Sequence, residues 1–475
     1  MKIYNSLSQQ MEEFVPLKEG KAGMYTCGMT VYDYAHIGHG RKYVMDDSLR
    51  RLLTYNGYEV THVQNVTDVG HLVSDSDEGE DKMEKGARKS GKTVWDVAEM
   101  FMKDFYESMD MLNILRPTVV CRATEHIPEQ IELVKKLLTR GFAYETPEAI
   151  YFDVSRFPRY DSLFGARRVD EKQVAVRDAV QTGEHKKAPA DFALWFKAVG
   201  RFSDHVMQWD SPWGKGFPGW HIECSAMGMR YLGDSFDIHT GGLEHQMVHH
   251  PNEIAQSEGA TGKPFVKYWM HSGFLTVDGQ KMSKSLGNFF RVKEVVERGF
   301  SPMALRYLYL TAHYRGPLNF TWSSLASAQT AYDKLKEFIR GVRSTEEGLR
   351  KDLSKEKVKK LEEFRQRFML AVNEDMGFPK ALAVMWELTK SNIPDYDKAD
   401  QILDWDQLLG LELMGMNIEK EAPSEIRTMA SIREKLRLEG KYVEADSVRM
   451  QMEKSGWEVK DTPGGSVIKP LKVVS

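Results

Sequence analysis

The chain has 475 residues and a formal net charge of −4, with 41% hydrophobic and 28% charged residues. This length is too great for one compact core, so we expect a large domain and at least one more. The charge excludes a protein that is basic throughout, although a local basic face is invisible in the sum. The three cysteines are too few for a disulfide-bonded scaffold. The sequence shows no signal-peptide pattern and no apolar run long enough to cross a membrane. Together with the small number of cysteines, this predicts a cytoplasmic protein without a membrane partner.

The first elements predict a strand, a helix and a second strand. Residues 1 to 20 indicate a polar extension with one strand pair, and residues 21 to 27 indicate the first buried strand. A helix is predicted to begin at His36, and the β-branched stretch 58 to 70 predicts the second strand. A strand, a helix and a strand in this order favour a parallel sheet.

The pattern changes three times further along the chain. Residues 71 to 114 indicate charged helices, with a mobile surface segment from about 72 to 92, and short strands among turns follow up to about residue 218. Strand and helix alternation then resumes, and from about residue 320 the sequence is mostly helix-periodic, closing on a small strand pair. These changes predict a split sheet domain at 1–115 and 219–300, an inserted domain at 116–218, a helical bundle at 301–400 and a last domain at 401–475.

The string His36-Ile37-Gly38-His39 stands at the predicted helix start. Its two imidazoles lie on one face of the first turn, beside backbone N–H groups that a helix start leaves unpaired. Such a site binds phosphate, and Gly38 lets a flat ring lie against the backbone. Taken alone, the string fits a pair of surface histidines equally well.

A second motif, KMSKS, carries Lys281 and Lys284 between Gly279 and Gly287. Two ammonium groups on a glycine-flanked loop can move onto a triphosphate and neutralise the charge of the departing pyrophosphate. In isolation, a solvated charged loop is the better interpretation. The histidine motif upstream favours the phosphate role.

The sequence also holds side chains of the kinds that bind a transition metal, namely Cys27, Cys224, His249 and Glu253. Sulfur with imidazole favours zinc, and His249 and Glu253 are four residues apart, so they share one face of a helix. Two distant cysteines are more often small buried hydrophobic residues, and neighbouring histidines offer other ligand choices. The residues alone therefore leave the metal open.

HIGH at 36 to 39 and KMSKS at 281 to 285 resemble the two motifs of class I aminoacyl-tRNA synthetases. The strings YTCGMTVYDYAHIGHGR, GWHIECSAM, HHPNEIAQSE, YWMHSG and KMSKSLGNFF are similar to the cysteinyl-tRNA synthetase family, in the same order over nearly the whole chain. The resemblance implies an α/β fold: a Rossmann-like parallel sheet with an inserted connective domain, then an α-helical C-terminal region with stem-contact and anticodon-binding parts. It implies ATP-dependent activation of L-cysteine to cysteinyl-AMP, transfer of cysteine to the terminal adenosine of tRNA(Cys), and a monomer.

The resemblance also assigns roles to individual residues. One Zn²⁺ per chain falls on Cys27, Cys224, His249 and Glu253, where it would bind the thiolate of the substrate and reject serine. Because a substrate thiolate would exceed the tetrahedral count, Glu253 is predicted to be the weak or displaced ligand. The resemblance assigns catalysis, with ATP and Mg²⁺, to His36, His39, Lys281 and Lys284. It assigns ATP binding to Gly38, Glu244, Lys281 and Lys284. It assigns substrate binding to Thr67 and Trp220.

Two residues depart from the family pattern. Glu244 follows Gly241, Gly242 and Leu243 where related enzymes usually have aspartate, so a contact of Glu244 with the ribose is an open point. Pro251 interrupts the predicted helix of His249 and Glu253, and we place it in the first turn, where proline costs no hydrogen bond.

Three alternatives compete with this interpretation. A cysteine ligase of mycothiol synthesis shares the motifs but lacks a full anticodon-binding end, so residues 424 to 475 argue against it. An RNA-binding paralogue without catalysis would be damaged at the motif positions, which are intact. For the helical region after residue 320, sequence physics alone favours a packing or dimerisation role, while basic helices with an exposed Trp457 would suit RNA.

Overall fold

The computed structural model describes residues 1–68, 84, 87–88, 91–160, 162–163, 185–219, 221–344, 353–414, 424–438, 441–455, 457–462 and 465–470. Trp220 and most of the segment predicted to be mobile lie outside them. The chain forms two compact units. The first comprises Met1–Lys334 and Gly348–Leu411, and the second comprises Leu335–Glu347 and Glu412–Ser475.

The elements up to the second sequence motif are, in chain order, β1 (Lys2–Asn5), β2 (Gln10–Glu13), β3 (Lys21–Thr26), α1 (Ile37–Tyr55), β4 (Glu59–Val66), α2 (Val94–Met111), β5 (Val119–Arg122), α3 (Ile127–Thr139), β6 (Ala143–Glu145), β7 (Ala149–Phe152), β8 (Phe192–Lys197), β9 (Gly216–Pro218), α4 (Ile222–Leu232), β10 (Phe236–Gly242), α5 (His249–Thr261), β11 (Val266–Ser272), β12 (Leu275–Val277) and β13 (Gln280–Lys281). The later elements are α6 (Val292–Glu297), α7 (Pro302–Leu310), β14 (Leu318–Phe320), α8 (Trp322–Ser344), α9 (Lys355–Asn373), α10 (Phe378–Thr389), α11 (Asp395–Leu409), α12 (Ser424–Leu438), α13 (Tyr442–Lys454), β15 (Trp457–Thr462) and β16 (Gly465–Pro470).

A five-stranded parallel sheet in the order β11-β10-β3-β4-β5 forms the centre of the first unit. All residues of β10 are buried, so this strand lacks the alternation of a half-exposed strand. The predicted unit of β3, α1 and β4 is confirmed, and the α/β class with it. The sheet is split in sequence, because β3 pairs on its other side with β10, far along the chain.

Between β5 and β10 the chain forms a separate antiparallel sheet in the order β6-β7-β8-β9. The short strands predicted before residue 218 include its neighbouring strands β7 and β8. Aromatic rings fill its interior, with Phe152 and Phe192 stacked at a centroid distance of 5.0 Å. This sheet lies within the stretch predicted to be an insertion.

The second unit has a small core of its own. Ile426 and Ala430 on α12 pack with Met452 on α13 and with Trp457 and Val459 on β15. The predicted closing strand pair is the β15–β16 hairpin. The expectation of an exposed Trp457 that stacks on a base is wrong, because 6% of this residue is exposed and its ring completes the core.

Among the described residues, no helix is both long enough and apolar enough to cross a membrane.

Candidate active site

The start of α1 is closed by its own two histidines. His36 is the N-cap, and its Nδ1 accepts hydrogen bonds from the N–H groups of Gly38 at 3.0 Å and His39 at 3.2 Å. The N–H of His36 donates to Nδ1 of His39 at 3.3 Å, and the two rings stack with centroids 3.7 Å apart. Since Nδ1 is an acceptor in both rings, the proton of each neutral imidazole lies on Nε2.

The protonation of these rings follows from their surroundings. Burial lowers the pKa of His36 to about 4. Burial, with the neighbouring His36, also lowers the pKa of His39 well below its usual value. Both rings are therefore neutral at pH 7, and each offers one Nε2–H donor to a phosphate oxygen.

The expectation that the helix start leaves unpaired N–H groups is wrong. The N–H of Ile37 donates to the carbonyl of Phe290 at 2.9 Å. The next two N–H groups donate to His36, as a side-chain cap does at many helix starts. In this structure, phosphate binding at the first turn therefore relies on the imidazoles or requires these bonds to open.

Gly38 allows a close approach, but its partners are side chains of this protein. A Cβ at this position would lie 2.8 Å from Cε1 of His36 and 2.9 Å from Cε of Met282. Such distances are shorter than real contacts, so any larger residue would displace one of them. Met282 belongs to KMSKS, so the two sequence motifs meet at this glycine.

The KMSKS segment leaves β13 and forms a short 3-10 turn at Lys284–Leu286. Asn288 braces it by accepting from the N–H of Ser283 at 2.7 Å and donating to the carbonyl of Lys281 at 3.2 Å. The side chain of Lys281 is exposed, and Lys284 forms an ion pair with Asp33 at 2.6 Å.

The chain also contains a buried group of metal-binding side chains. The ligand atoms of Cys27, Cys224, His249 and Glu253 are all within 4.8 Å of one another. Cys27 follows β3, Cys224 lies on α4, and the other two lie on the first turns of α5. Pro251 is the third residue of α5 and so lies in its first turn, as predicted. This buried Cys/His/Glu group could bind a metal ion, and its sulfur and imidazole donors suit zinc.

A second group with the same geometry consists of Cys27, His239, His250 and Glu253. His250 is one of the neighbouring histidines that the sequence left open as ligands, whereas His239 was missed, because a histidine within a buried strand has the sequence pattern of a core residue. His239 Nε2 lies 2.9 Å from Glu253 Oε2, and His249 Nε2 lies 3.0 Å from Glu253 Oε1. Burial opposes ionisation of Glu253, but these two imidazoles prevail and lower its pKa to about 2.

The thiols of this group are protonated without a metal. Burial raises the pKa of Cys27, and a hydrogen bond with Cys27 together with burial raises that of Cys224. A metal that binds these sulfurs must therefore displace their protons.

The carboxyl ends of the parallel strands β4 and β10 bring two more predicted residues, Thr67 and Glu244, to one edge of the sheet. Thr67 follows β4, is buried, and donates through Oγ1 to Glu223 Oε2 at 3.1 Å. Glu244 is exposed on the turn after β10, and a Cβ built at Gly242 would lie 2.2 Å from its Oε1, so its carboxylate folds back over that glycine. Ligands bind at this edge in open parallel sheets.

Helix α1 connects the metal-binding group to the phosphate motif. Lys42 Nζ and the Tyr43 hydroxyl both donate to the carbonyl of Cys27, at 2.6 Å and 3.2 Å. Lys42 also pairs with Asp46 at 2.9 Å in a largely buried ion pair. The helix that presents His36 and His39 therefore also fixes the backbone of Cys27.

Comparison with known proteins defines the class. Residues 13–330 match the family model described as the class I (C) tRNA synthetase catalytic domain. The fold resembles that of methionyl-tRNA synthetase from Mycobacterium tuberculosis bound by methionyl-adenylate, with a TM-score of 0.58 at 14% identity over 83% of this chain and 88% of that one. The chain belongs to the class I aminoacyl-tRNA synthetases.

Sequence relatives narrow this class. The chain is 46% identical to cysteine–tRNA ligase 1 of Burkholderia lata over 98% of this chain and 95% of the relative. It is 42% identical to cysteine–tRNA ligase of Treponema denticola over 99% of this chain and 100% of the relative. The chain belongs to the cysteine–tRNA ligase family. This confirms the predicted activity, which is ATP-dependent activation of cysteine and its transfer to tRNA.

Proposed function

We propose that Cys27, Cys224, His249 and Glu253 hold one Zn²⁺ per chain and that this metal selects cysteine. The observation that carries the proposal is the buried group of two sulfurs, one imidazole and one carboxylate within 4.8 Å. When bound, zinc supplies a soft Lewis acid that bonds a thiolate strongly and a hydroxyl poorly, which would separate cysteine from serine without an editing step.

Glu253 is the donor that we expect to be weakest when cysteine is present. Three protein ligands and the substrate sulfur already complete a tetrahedral site. The carboxylate of Glu253 has a second position available, because His239 Nε2 lies 2.9 Å from its Oε2. A cysteine-bound structure with Glu253 at full bonding distance and the thiol elsewhere would contradict this.

For the chemical step, we propose that the carboxylate of cysteine attacks the α-phosphate of ATP in line and expels pyrophosphate. The chain need only position the reactants and stabilise charge, so no protein nucleophile takes part. His36 and His39 donate through Nε2–H, and Lys281 and Lys284 neutralise the leaving pyrophosphate, with Mg²⁺ on the phosphates. Gly38 and Glu244 contact the nucleoside, and Thr67 and Trp220 contact the amino acid or its adenylate.

For tRNA, we propose that the helical region after residue 300 binds the nucleic acid. We also propose that the protein acts as a monomer. Residues 301–400 would contact the stem and 401–475 the anticodon, with 1–115 and 219–300 as the catalytic domain and 116–218 as its connective insertion. Since Trp457 is buried, phosphate contacts from basic side chains on α12 and α13 are the better basis for this role.

The test of the zinc proposal is amino-acid-dependent pyrophosphate exchange with cysteine and with serine. We expect about one zinc per chain, and a chelator should abolish exchange with cysteine until zinc is restored. Replacing a ligand, in Cys224→Ser, should lower cysteine exchange at least about tenfold, since even residues that only support metal ligands cost that much.

The chain offers a matched control in its third cysteine. Cys121 is buried on β5, and its Sγ donates to the carbonyl of Gln64 at 3.5 Å, outside the metal-binding group. Cys121→Ser should therefore keep its zinc and its preference for cysteine. Full activity of a folded, zinc-free protein, or equal zinc loss in both variants, would exclude the proposal.

A further inference from the structure

The second lysine of KMSKS is engaged by a carboxylate from the loop before α1. Nζ of Lys284 lies 2.7 Å from Oδ1 of Asp33 and 2.6 Å from Oδ2. The two residues are 251 positions apart in sequence, so this contact belongs to the tertiary fold. Because Asp33 is only three residues before His36, the ammonium group is held beside the predicted phosphate site.

The carboxylate is oriented before the lysine arrives. Oδ1 of Asp33 also accepts from the N–H of Tyr34 at 2.8 Å, which fixes the side chain in its own turn. The side chain of Asp33 is 29% exposed and that of Lys284 is 59% exposed. An ion pair with this exposure is weak and exchanges readily, so an incoming phosphate can replace the carboxylate.

Neighbouring contacts hold the same segment against the first turn of α1. The ring of Phe289 stands edge-on to His36 with centroids 5.1 Å apart, and the carbonyl of Phe290 accepts from the N–H of Ile37. Met282 Cε lies against Gly38. Acceptors from the chain itself thus bind the N–H donors of the helix start, and Asp33 pairs with the ammonium group of Lys284.

We propose that Asp33 is a positioning residue that holds Lys284 beside the helix start in place of a triphosphate oxygen and yields it when ATP binds. The inference rests on the proposed role of Lys284 in binding ATP. Two consequences follow from the competition between carboxylate and phosphate. Asp33 keeps the loop close to the site in the absence of nucleotide, and it lowers the apparent affinity for ATP.

The test replaces the carboxylate by its neutral isostere in the full-length enzyme. In Asp33→Asn, we expect the KM for ATP in cysteine-dependent pyrophosphate exchange to fall about two- to fivefold, the range for an exposed ion pair. The KM for cysteine, kcat and the melting temperature should stay unchanged. The gain in ATP affinity should shrink as salt rises, because both competing attractions are screened.

A double-mutant cycle separates this inference from the proposed function. Lys284→Met alone should raise the KM for ATP, and Asp33→Asn added to Lys284→Met should have no further effect. If Lys284→Met leaves the KM for ATP unchanged, the proposed role of Lys284 fails. If Lys284→Met raises it while Asp33→Asn does not lower it, the positioning role of Asp33 is overturned.

Two more variants complete the test. Glu297→Gln removes one exposed carboxylate from α6, the helix after the loop, and should not change the KM for ATP. An equal fall in that variant would assign the effect to net charge and overturn the inference. Asp33→Glu keeps the carboxylate and should keep the wild-type KM for ATP. A rise in the KM for ATP in Asp33→Asn would overturn the inference, because the carboxylate would then assist ATP binding, for example through Mg²⁺.

Discussion

His36 combines its capping role with its proposed phosphate-binding role in one ring. Its Nδ1 caps α1 by accepting from two N–H groups, which leaves Nε2–H as the donor for the proposed phosphate contact. Because the two nitrogens act separately, a substitution can keep one role and remove the other. Asparagine is among the best N-cap residues, but it cannot place a donor where Nε2 lies.

We therefore expect His36→Asn to slow adenylate formation about 10² to 10³-fold, the usual cost of one preorganised donor, with little change in stability. His36→Ala should lose the same activity and a further ~1 kcal/mol of folding free energy, because the cap is gone as well. Single-turnover adenylate formation and thermal melting measure the two effects. Similar melting temperatures for wild type and the alanine variant would refute the capping role.

The pH dependence of stability offers a control for this prediction. The pKa of His36 falls from its usual 6.5 to about 4 in the folded chain. Between these values the unfolded chain binds the extra proton, so this residue makes stability fall as the pH drops from 6.5 to 4. His36→Asn lacks this contribution, so its melting temperature should decline less steeply than that of wild type over this window.

At the scale of elements, a fully buried arginine joins several helices of the first unit. Arg306 on α7 donates to Asp47 on α1 at 2.5 Å, to the carbonyl of Leu409 on α11 at 2.7 Å and to that of Leu112 after α2 at 2.9 Å. Asp47 has a second cation, Arg51, at 2.7 Å. Burial opposes ionisation of Asp47, but the two arginines prevail and lower its pKa.

Removing this arginine should destabilise the first unit. We expect Arg306→Met to cost about 3 kcal/mol, at the lower end for breaking a buried ion pair, because Arg51 still compensates Asp47. Urea denaturation monitors the loss. Adding Asp47→Asn should restore part of the stability, since the fully buried carboxylate is then neutral and Arg51 keeps its hydrogen bonds to the carbonyls of Asn113 and Gln407. A double variant less stable than the sum of both single variants would contradict this explanation.

The elements were largely predictable from the sequence, whereas several contacts were not. The β3–α1–β4 unit and the helix of His249 and Glu253 follow from local periodicity and spacing. The ion pair of Asp33 and Lys284 joins distant segments, and no local pattern encodes such a pair. The exposure of Trp457 was predicted wrongly because an aromatic residue near basic residues gives the same sequence pattern on a surface and in a small core.

The candidate site shows the same division. The histidine and lysine motifs were visible as strings, and their meeting at Gly38 required the fold. No sequence pattern singles out His239 as a neighbour of Glu253, because a histidine inside a buried strand has the pattern of a core residue. The metal ligands were suggested by resemblance, since spacing alone left other histidines open.

At the scale of the whole molecule, the two compact units predict separable activities. The first unit contains the motifs and the metal-binding group, and its last helix is anchored by fully buried Leu408, Leu409 and Leu411. A chain that ends at Leu411 should therefore still catalyse cysteine-dependent pyrophosphate exchange at close to the full rate. Charging of tRNA by the truncated chain should fall at least about tenfold, equivalent to the loss of ~1.4 kcal/mol of binding free energy.

The controls for this truncation are the KM for cysteine and the melting curve of the shortened chain, both of which should match wild type. Unchanged charging of tRNA would exclude a role of residues 412–475 in RNA binding. Loss of pyrophosphate exchange in a folded truncated chain would show that the catalytic part depends on residues 412–475.

The pairing of β3 with β10 sets the order in which the protein can be completed during its synthesis. Hydrogen-bonded partners on these strands are 214 residues apart, and Cys27 and Glu253 are 226 apart. At ~5–20 residues per second, a ribosome needs about 11 to 45 s to cover that distance. Until then, β3 has β4 on one side and an open edge on the other, with a thiol at its end. Under the proposed zinc role, the metal site would therefore be completed late in synthesis, after β3 has paired with β4.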